Sequence, residues 1–296
     1  MAPAVRRKKR KDEIQVSIGP FRDLADYKAC EDIQREVWRM NDIDIVPVPL
    51  LVEAGRSGGV LLGASSSLGD LVGFVFSMAG QLDGRPTQHS FMVAVRAAYR
   101  NFDVGFKLKA AQRKEALKRG VHLITSCFDP MQPADAYFAL GKLGQRADAY
   151  EENFHGETTR LPDRGLPTDR VLARWDLKDA ATARRLDQGP PRRELRRELK
   201  SGVFINRLVE SAPGLLTSTP VELDCTADRF LFEIPYNLQE IKNRDLGVAL
   251  DWQGRMRQVF RHYFKKNCAV VDFWVCEADG HLRAFYVLER QEPVDS

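Results

Sequence analysis

The sequence predicts a mixed α/β (α+β) protein: a central, mainly antiparallel sheet with helices on both faces, followed by a smaller α/β unit. Three observations predict it. Apolar runs between Gly58 and Val95 are separated by turn signals, the pattern of an antiparallel meander. Helix-period segments precede and follow that meander. After a charged stretch at 178–200, apolar strands resume around one long amphipathic helix.

Taken in order, "IQVSI" at 14–18 alternates apolar and polar residues and reads as a strand. Next, Leu24, Tyr27, Ile33 and Val37 share one face of a helix ending near Trp38, with Asp23 as its N-cap. "NDIDIVPVPLL" holds two prolines and leads through a loop into a short helix at 48–56. "GGVLLGAS", "LVGFVFSMAG" and "HSFMVAV" are the meander, with "DGRP" turning the last hairpin. The Gly-rich "GRSGGVLLGASSSLG" lacks a GK[ST] ending and leads into a strand, so it reads as a hairpin and not a phosphate loop. A helix runs from Gly105 to about Arg119 and stops at Gly120. A strand "VHLITSCF", a helix "PADAYFALGKLG", and strands within "ADAYEENF" and "TDRVLARWDL" follow. The stretch 178–200 contains Gly-Pro-Pro and reads as a linker or exposed helical segment. Beyond it, "VFINRLV", "RFLFEIP", "AVVDFWVCE" and "LRAFYVLE" read as strands. Val248, Trp252, Met256, Val259 and Phe260 form the stripe of a helix. The expected domains are a basic disordered tail at 1–13, a first domain at 14–177, a linker at 178–200, and a C-terminal unit at 201–296 packed on the first.

Composition narrows the function classes. The 296 residues, 44% hydrophobic and 29% charged, suit a soluble globular chain, and no apolar run has transmembrane length. No apolar stretch of signal-peptide type follows the basic N-terminus, so a cytoplasmic protein without a membrane partner is expected. The net charge is +4, but six positive charges lie in "RRKKRK" at Arg6 to Lys11, and without them the rest carries −2. A near-neutral body argues against a dedicated nucleic-acid binder, although the tail alone could bind one. Five cysteines without a CxxC and five scattered histidines suggest reduced thiols and no metal.

The stretch "VRAAYRNFDVGFKLKAAQRKEALKRG" from Val95 to Gly120 carries the functional signal. A strand end, Arg100, a turn with Gly105 and a basic helix come in that order. A helix N-terminus offers backbone N–H groups and the positive end of a dipole to a phosphate. Arg100 adds charge, and Gly105 permits close backbone approach. The same order also describes an ordinary strand-to-helix connection.

With Arg100-Asn101-Phe102-Asp103-Val104-Gly105, upstream Val95 and Tyr99, and "AYFALGKLG" at Ala136 to Gly144, the chain resembles the GNAT superfamily of acyl-CoA-dependent N-acyltransferases. It also resembles an acetyltransferase family with an extended C-terminal region, through "FDP" at Phe128 to Pro130, "KLG" at Lys142 to Gly144, "YEENFHG" at Tyr150 to Gly156 and "EIP" at Glu233 to Pro235. The resemblance covers about residues 14–290. It implies an acyl-CoA co-substrate, acetyl or a larger group such as succinyl, with its pyrophosphate on Arg100, Asn101, Phe102, Asp103, Val104, Gly105 and Phe106. Backbone groups near Val93 and Val95 would hold the pantetheine and polarise the thioester. The implied acceptor is a small-molecule amine such as an amino acid, and a homodimer is left open. Asp129, just after the fifth strand, is the first choice of base; its plain alternative is to cap the following turn. Tyr150 and Glu151 stand behind it. Two departures matter: Asp103 stands where the family's turn has its first glycine, and Pro133 and Leu140 stand where many members have an asparagine and an acid tyrosine. Asp103 and Leu140 make a catalytically degenerate acyl-CoA-binding protein one competing class, and the basic tail makes a nucleic-acid-associated protein the other.

Overall fold

The computed structural model describes residues 15–191, 195–278 and 281–292; the basic run Arg6 to Lys11 lies outside the described residues. The chain folds as two compact units, one of residues 1–121 with 159–161, the other of 122–158 with 162–296. The stretch 14–177, expected as one domain, is thus shared between them. Among the described residues, no helix is long and apolar enough to cross a membrane.

In the first unit, β1 (Val16–Pro20), β2 (Val60–Ser66), β3 (Leu71–Leu82) and β4 (Arg85–Val95) pair antiparallel in sequence order. Asp83 and Gly84, both at positive φ, turn the β3–β4 hairpin as the Asp-Gly signal predicts. Strand alternation, broken in β3 by a bulge at Val72, sorts the side chains by face. Phe74, Phe76, Met92 and Ala94 pack with Cys30, Ile33 and Leu51 from α1 (Leu24–Trp38) and α2 (Val48–Arg56). Val72, Val75, Val93 and Val95 pack with Val104 and Leu108 of α3 (Val104–Lys118). Helices therefore cover both faces. The Asp23 carboxylate accepts the Ala25 and Asp26 N–H groups as the N-cap of α1, and Gly120 at φ 74 follows the last turn of α3.

In the second unit, β5 (Leu123–Phe128), β6 (Arg146–Glu151), β7 (Arg170–Asp176), β10 (Arg229–Pro235), β11 (Cys268–Ala278) and β12 (His281–Arg290) run in the order β5-β7-β6-β11-β12-β10. Their ladders are antiparallel. α4 (Pro133–Ala136) continues as a π-helical turn over Tyr137–Lys142, and Gly144 at φ 74 ends it. α5 (Ala180–Gln188) and α6 (Leu195–Ser201) occupy much of the stretch expected as a linker. α7 (Leu238–Arg244) leads into α8 (Leu246–Lys265), which buries Trp252, Met256, Val259, Phe260 and Tyr263 against Phe128, Val171, Phe232, Val270 and Tyr286. The alternate residues Leu231, Trp274, Phe285 and Val287 face the other way, where Leu195, Leu199 and Phe204 cover them.

Two expectations change. "VFINRLV" is not one strand: Phe204 makes an isolated bridge to Leu231, and only from Leu208 does the chain enter β8 (Leu208–Ala212), which pairs with β9 (Leu215–Ser218). Asn206 turns inward between them to bond the Glu233 backbone, which interrupts the extended run. The C-terminal strands are also not a separate small unit. β6 pairs with β11 at Ala147 and Val270, which joins them to β5 and β7 in one sheet.

Candidate functional site

The Val95-to-Gly105 turn lies wholly in the first unit. The Arg96 N–H bonds the Val72 carbonyl of β3 at 2.9 Å. Backbone groups alternate along a strand, so the N–H groups of Val93 and Val95 point to the edge of β4 away from β3. Upstream, β4 carries a β-bulge: Phe76 pairs with Met92 but Ser77 with Ser90, so Phe91 is the extra residue. A bulge bends its strand and interrupts the ladder, a common device beside sites.

Past Val95, a 3₁₀ turn at Ala97–Tyr99 leads to Asn101 and Asp103, both left-handed at φ 67 and 58. That conformation favours glycine and, after it, Asn and Asp. Asp103 thus fills a glycine-type position with a tolerated residue, and it is the N-cap of α3. The first intrahelical bond runs from the Lys107 N–H to the Asp103 carbonyl, so the Val104 and Gly105 N–H groups precede the ladder. The Arg100 Nε donates to the Val95 carbonyl at 3.1 Å, folding this exposed side chain back onto the strand end. Val104 is buried, while Phe102, Val93 and Val95 pack on the same apolar cluster. Their contribution to a ligand would come from the backbone.

Sequence reading missed the polar layer beneath. On the buried face of α3, Lys109 Nζ donates to Ser90 Oγ at 2.9 Å, and Gln112 Nε2 donates to the same oxygen at 3.2 Å. Burial pushes the Lys109 ammonium down to about 7. Burial, then the nearby Lys109 charge, also lowers His89. Across the pair, Ser77 Oγ donates to Gln88 Oε1.

Asp129 lies in the second unit, right after β5. Its Oδ1 accepts the Met131 N–H at 2.8 Å, and its carbonyl accepts the Gln132 N–H, so it does cap the turn. It is half-buried, and burial raises its carboxyl to about 6 against the lowering pull of Arg170. Tyr150 donates to Asp169 Oδ2 at 2.6 Å, and burial and that bond drive its phenol further up, which unsuits it as a base. Glu151 is exposed at the end of β6. Leu140 is fully buried in the apolar cluster, and Pro133 opens α4. Asp169, passed over in the sequence, is a hub: it also accepts the Asn153 N–H and two Arg257 donors, tying the segment after β6 to α8.

The sequence matches no protein-family model and no curated protein. Solved structures that resemble this chain include acetyltransferases. They include the ribosomal-protein-S18-alanine N-acetyltransferase of Escherichia coli, at 16% identity over 56% of this chain and 96% of that one, TM-score 0.44. An aminoglycoside 6'-acetyltransferase type Ii shares 17% identity over 55% of this chain and 98% of its own, TM-score 0.43. A GNAT family acetyltransferase of Elizabethkingia anophelis with acetyl-CoA bound shares 17% over 54% and 97%, TM-score 0.42. The last of these carries the name of the family expected from the turn. At such scores the likenesses decide nothing about the chemistry of this chain.

Proposed function

We propose that the chain is an acyl-CoA-dependent N-acyltransferase. The observation that carries the reading is the turn after β4. Two left-handed residues deliver the chain into α3, whose leading N–H groups stand ready for an anion, directly after a bulged strand whose Val93 and Val95 N–H groups point away from β3. A pyrophosphate fits the first feature, and a polarised thioester carbonyl fits the second. The co-substrate supplies the activated acyl group. An amine nitrogen attacks the thioester carbon, the C–S bond breaks, and the sulfur departs as thiolate. The proton lost by the amine needs an acceptor, and Asp129, with a carboxyl raised to about 6, has a suitable affinity. We take the acceptor to be a small-molecule amine such as an amino acid, and the acyl group to be acetyl or succinyl.

Titration calorimetry with CoA tests the turn. Gly105→Val is expected to weaken binding strongly without unfolding, and Arg100→Ala to cost about 1.5–3 kcal/mol. Asp103→Gly should leave affinity unchanged or improve it, since a carboxylate leaves the phosphate's neighbourhood. A folded Gly105→Val with wild-type affinity would reduce the turn to a plain connection. Turnover with an amine panel tests the rest: Asp129→Asn should keep CoA affinity while slowing transfer about 10²–10⁴-fold. A second reading, an acyl-CoA-binding protein without turnover, is favoured by buried Leu140 in place of an acid and by the Met131 N–H held on Asp129. Tight CoA binding with no transfer to any amine would select it.

A further inference from the structure

The polar layer between α3 and β4 sits in an unusual place. Lys109, Gln112, Ser90, Ser77 and Gln88 are all buried, next to a cluster built from Val72, Val75, Val93 and Leu108. Burying an amine there costs free energy that an apolar side chain of equal length would not incur. What the layer provides is geometric. Ser90 is the last residue in register before the bulge, and its Oγ receives one donor from each of two α3 residues. Sliding the bulge by one residue would turn Ser90 to the opposite face and leave the Lys109 and Gln112 donors without that oxygen. The valines give no such discrimination, because any apolar residue satisfies an apolar neighbour.

We propose that Lys109 and Gln112, acting through Ser90, are positioning residues that fix the β4 bulge and hence where the strand presents the Val93 N–H to the acyl carbonyl of the donor. The inference rests on the acyltransferase reading. It separates two parts of donor recognition: the turn before α3 serves the pyrophosphate, and the layer serves the acyl end.

The test compares CoA with acetonyl-CoA, a hydrolysis-resistant analogue in which a methylene stands between the sulfur and a ketone carbonyl, by calorimetry on the full chain. The variants are Lys109→Met, Ser90→Ala, Ser90→Thr and the double variant Ser90→Ala with Lys109→Met. In Lys109→Met the affinity for CoA should change less than about twofold, while the acetonyl-CoA to CoA affinity ratio falls about tenfold. Ser90→Ala should reproduce that loss, Ser90→Thr should restore it by keeping the hydroxyl, and the double variant should be no worse than either single one. A layer that only stabilises the fold would shift melting temperature and leave the ratio alone. An unchanged ratio in folded Lys109→Met and Ser90→Ala overturns the proposal, as does a loss in Lys109→Met that Ser90→Ala does not share. A wild-type chain that binds neither ligand overturns the acyltransferase reading, and this inference with it.

Discussion

Asp129 holds a turn and carries a proton affinity unusual for a carboxylate, and the two properties can be separated. Asparagine keeps the oxygen that accepts the Met131 N–H but cannot ionise. The folded carboxyl titrates at about 6 and the unfolded one near 3.8. Between those values the folded chain binds more protons, so this residue's contribution is complete below 3.8 and is lost as pH rises through 6. Melting temperature of Asp129→Asn against wild type should therefore show the variant gaining stability relative to wild type from about pH 4 to 7. Parallel profiles would remove the raised carboxyl from the account. The turn-capping role of Asp129 was legible because a carboxylate directly after a buried strand is placed to hold the N–H groups of the turn that follows. Lys109 was not. "KLKAAQRKEALKR" reads as a solvated basic face, and only the packing of Leu108, Gln112 and Ala116 shows which lysine lies underneath.

Elements announced by local chemistry were readable: the Asp23 cap, the Asp83-Gly84 hairpin, the Gly120 stop and the α8 stripe each depend on neighbours in sequence. The β4 bulge and the π-helical turn at Tyr137–Lys142 were not, because each is set by what the partner strand or core demands. Two glycines near the end of α2 make the same distinction measurable. A methyl on Gly59 would meet the Ser77 and Ala54 carbonyl oxygens at 2.5 and 2.6 Å, both backbone atoms that cannot step aside. One on Gly55, inside α2, would meet nothing within 4 Å. Denaturant titration should show Gly59→Ala losing about 1–3 kcal/mol and Gly55→Ala gaining about 0.5–1 kcal/mol. Equal effects would mean that space at Gly59 is not limiting.

At the scale of the molecule, the order of elements as far as β7 followed from the sequence, but the β8–β9 hairpin, α7 and the partition into units did not. Composition marks 178–200 as a border because it is charged and short of bulky apolar residues. The border in space follows strand pairing, and β6 meets β11 across more than a hundred residues of chain, a partnership no local window contains. The lysine sealed between α3 and β4 also bears on the molecule as a whole, through proton uptake. It titrates at about 7 when folded and near 10.5 when released, so between those values unfolding must draw a proton from the buffer, and stability rises with pH across the window. The heat of unfolding near pH 8.5 will then depend on which buffer donates that proton. Scans in phosphate and in Tris should differ by about one buffer ionisation enthalpy per molecule in the wild type, and the difference should shrink in Lys109→Met. The same heat in both buffers would mean that the amine is already protonated inside the fold.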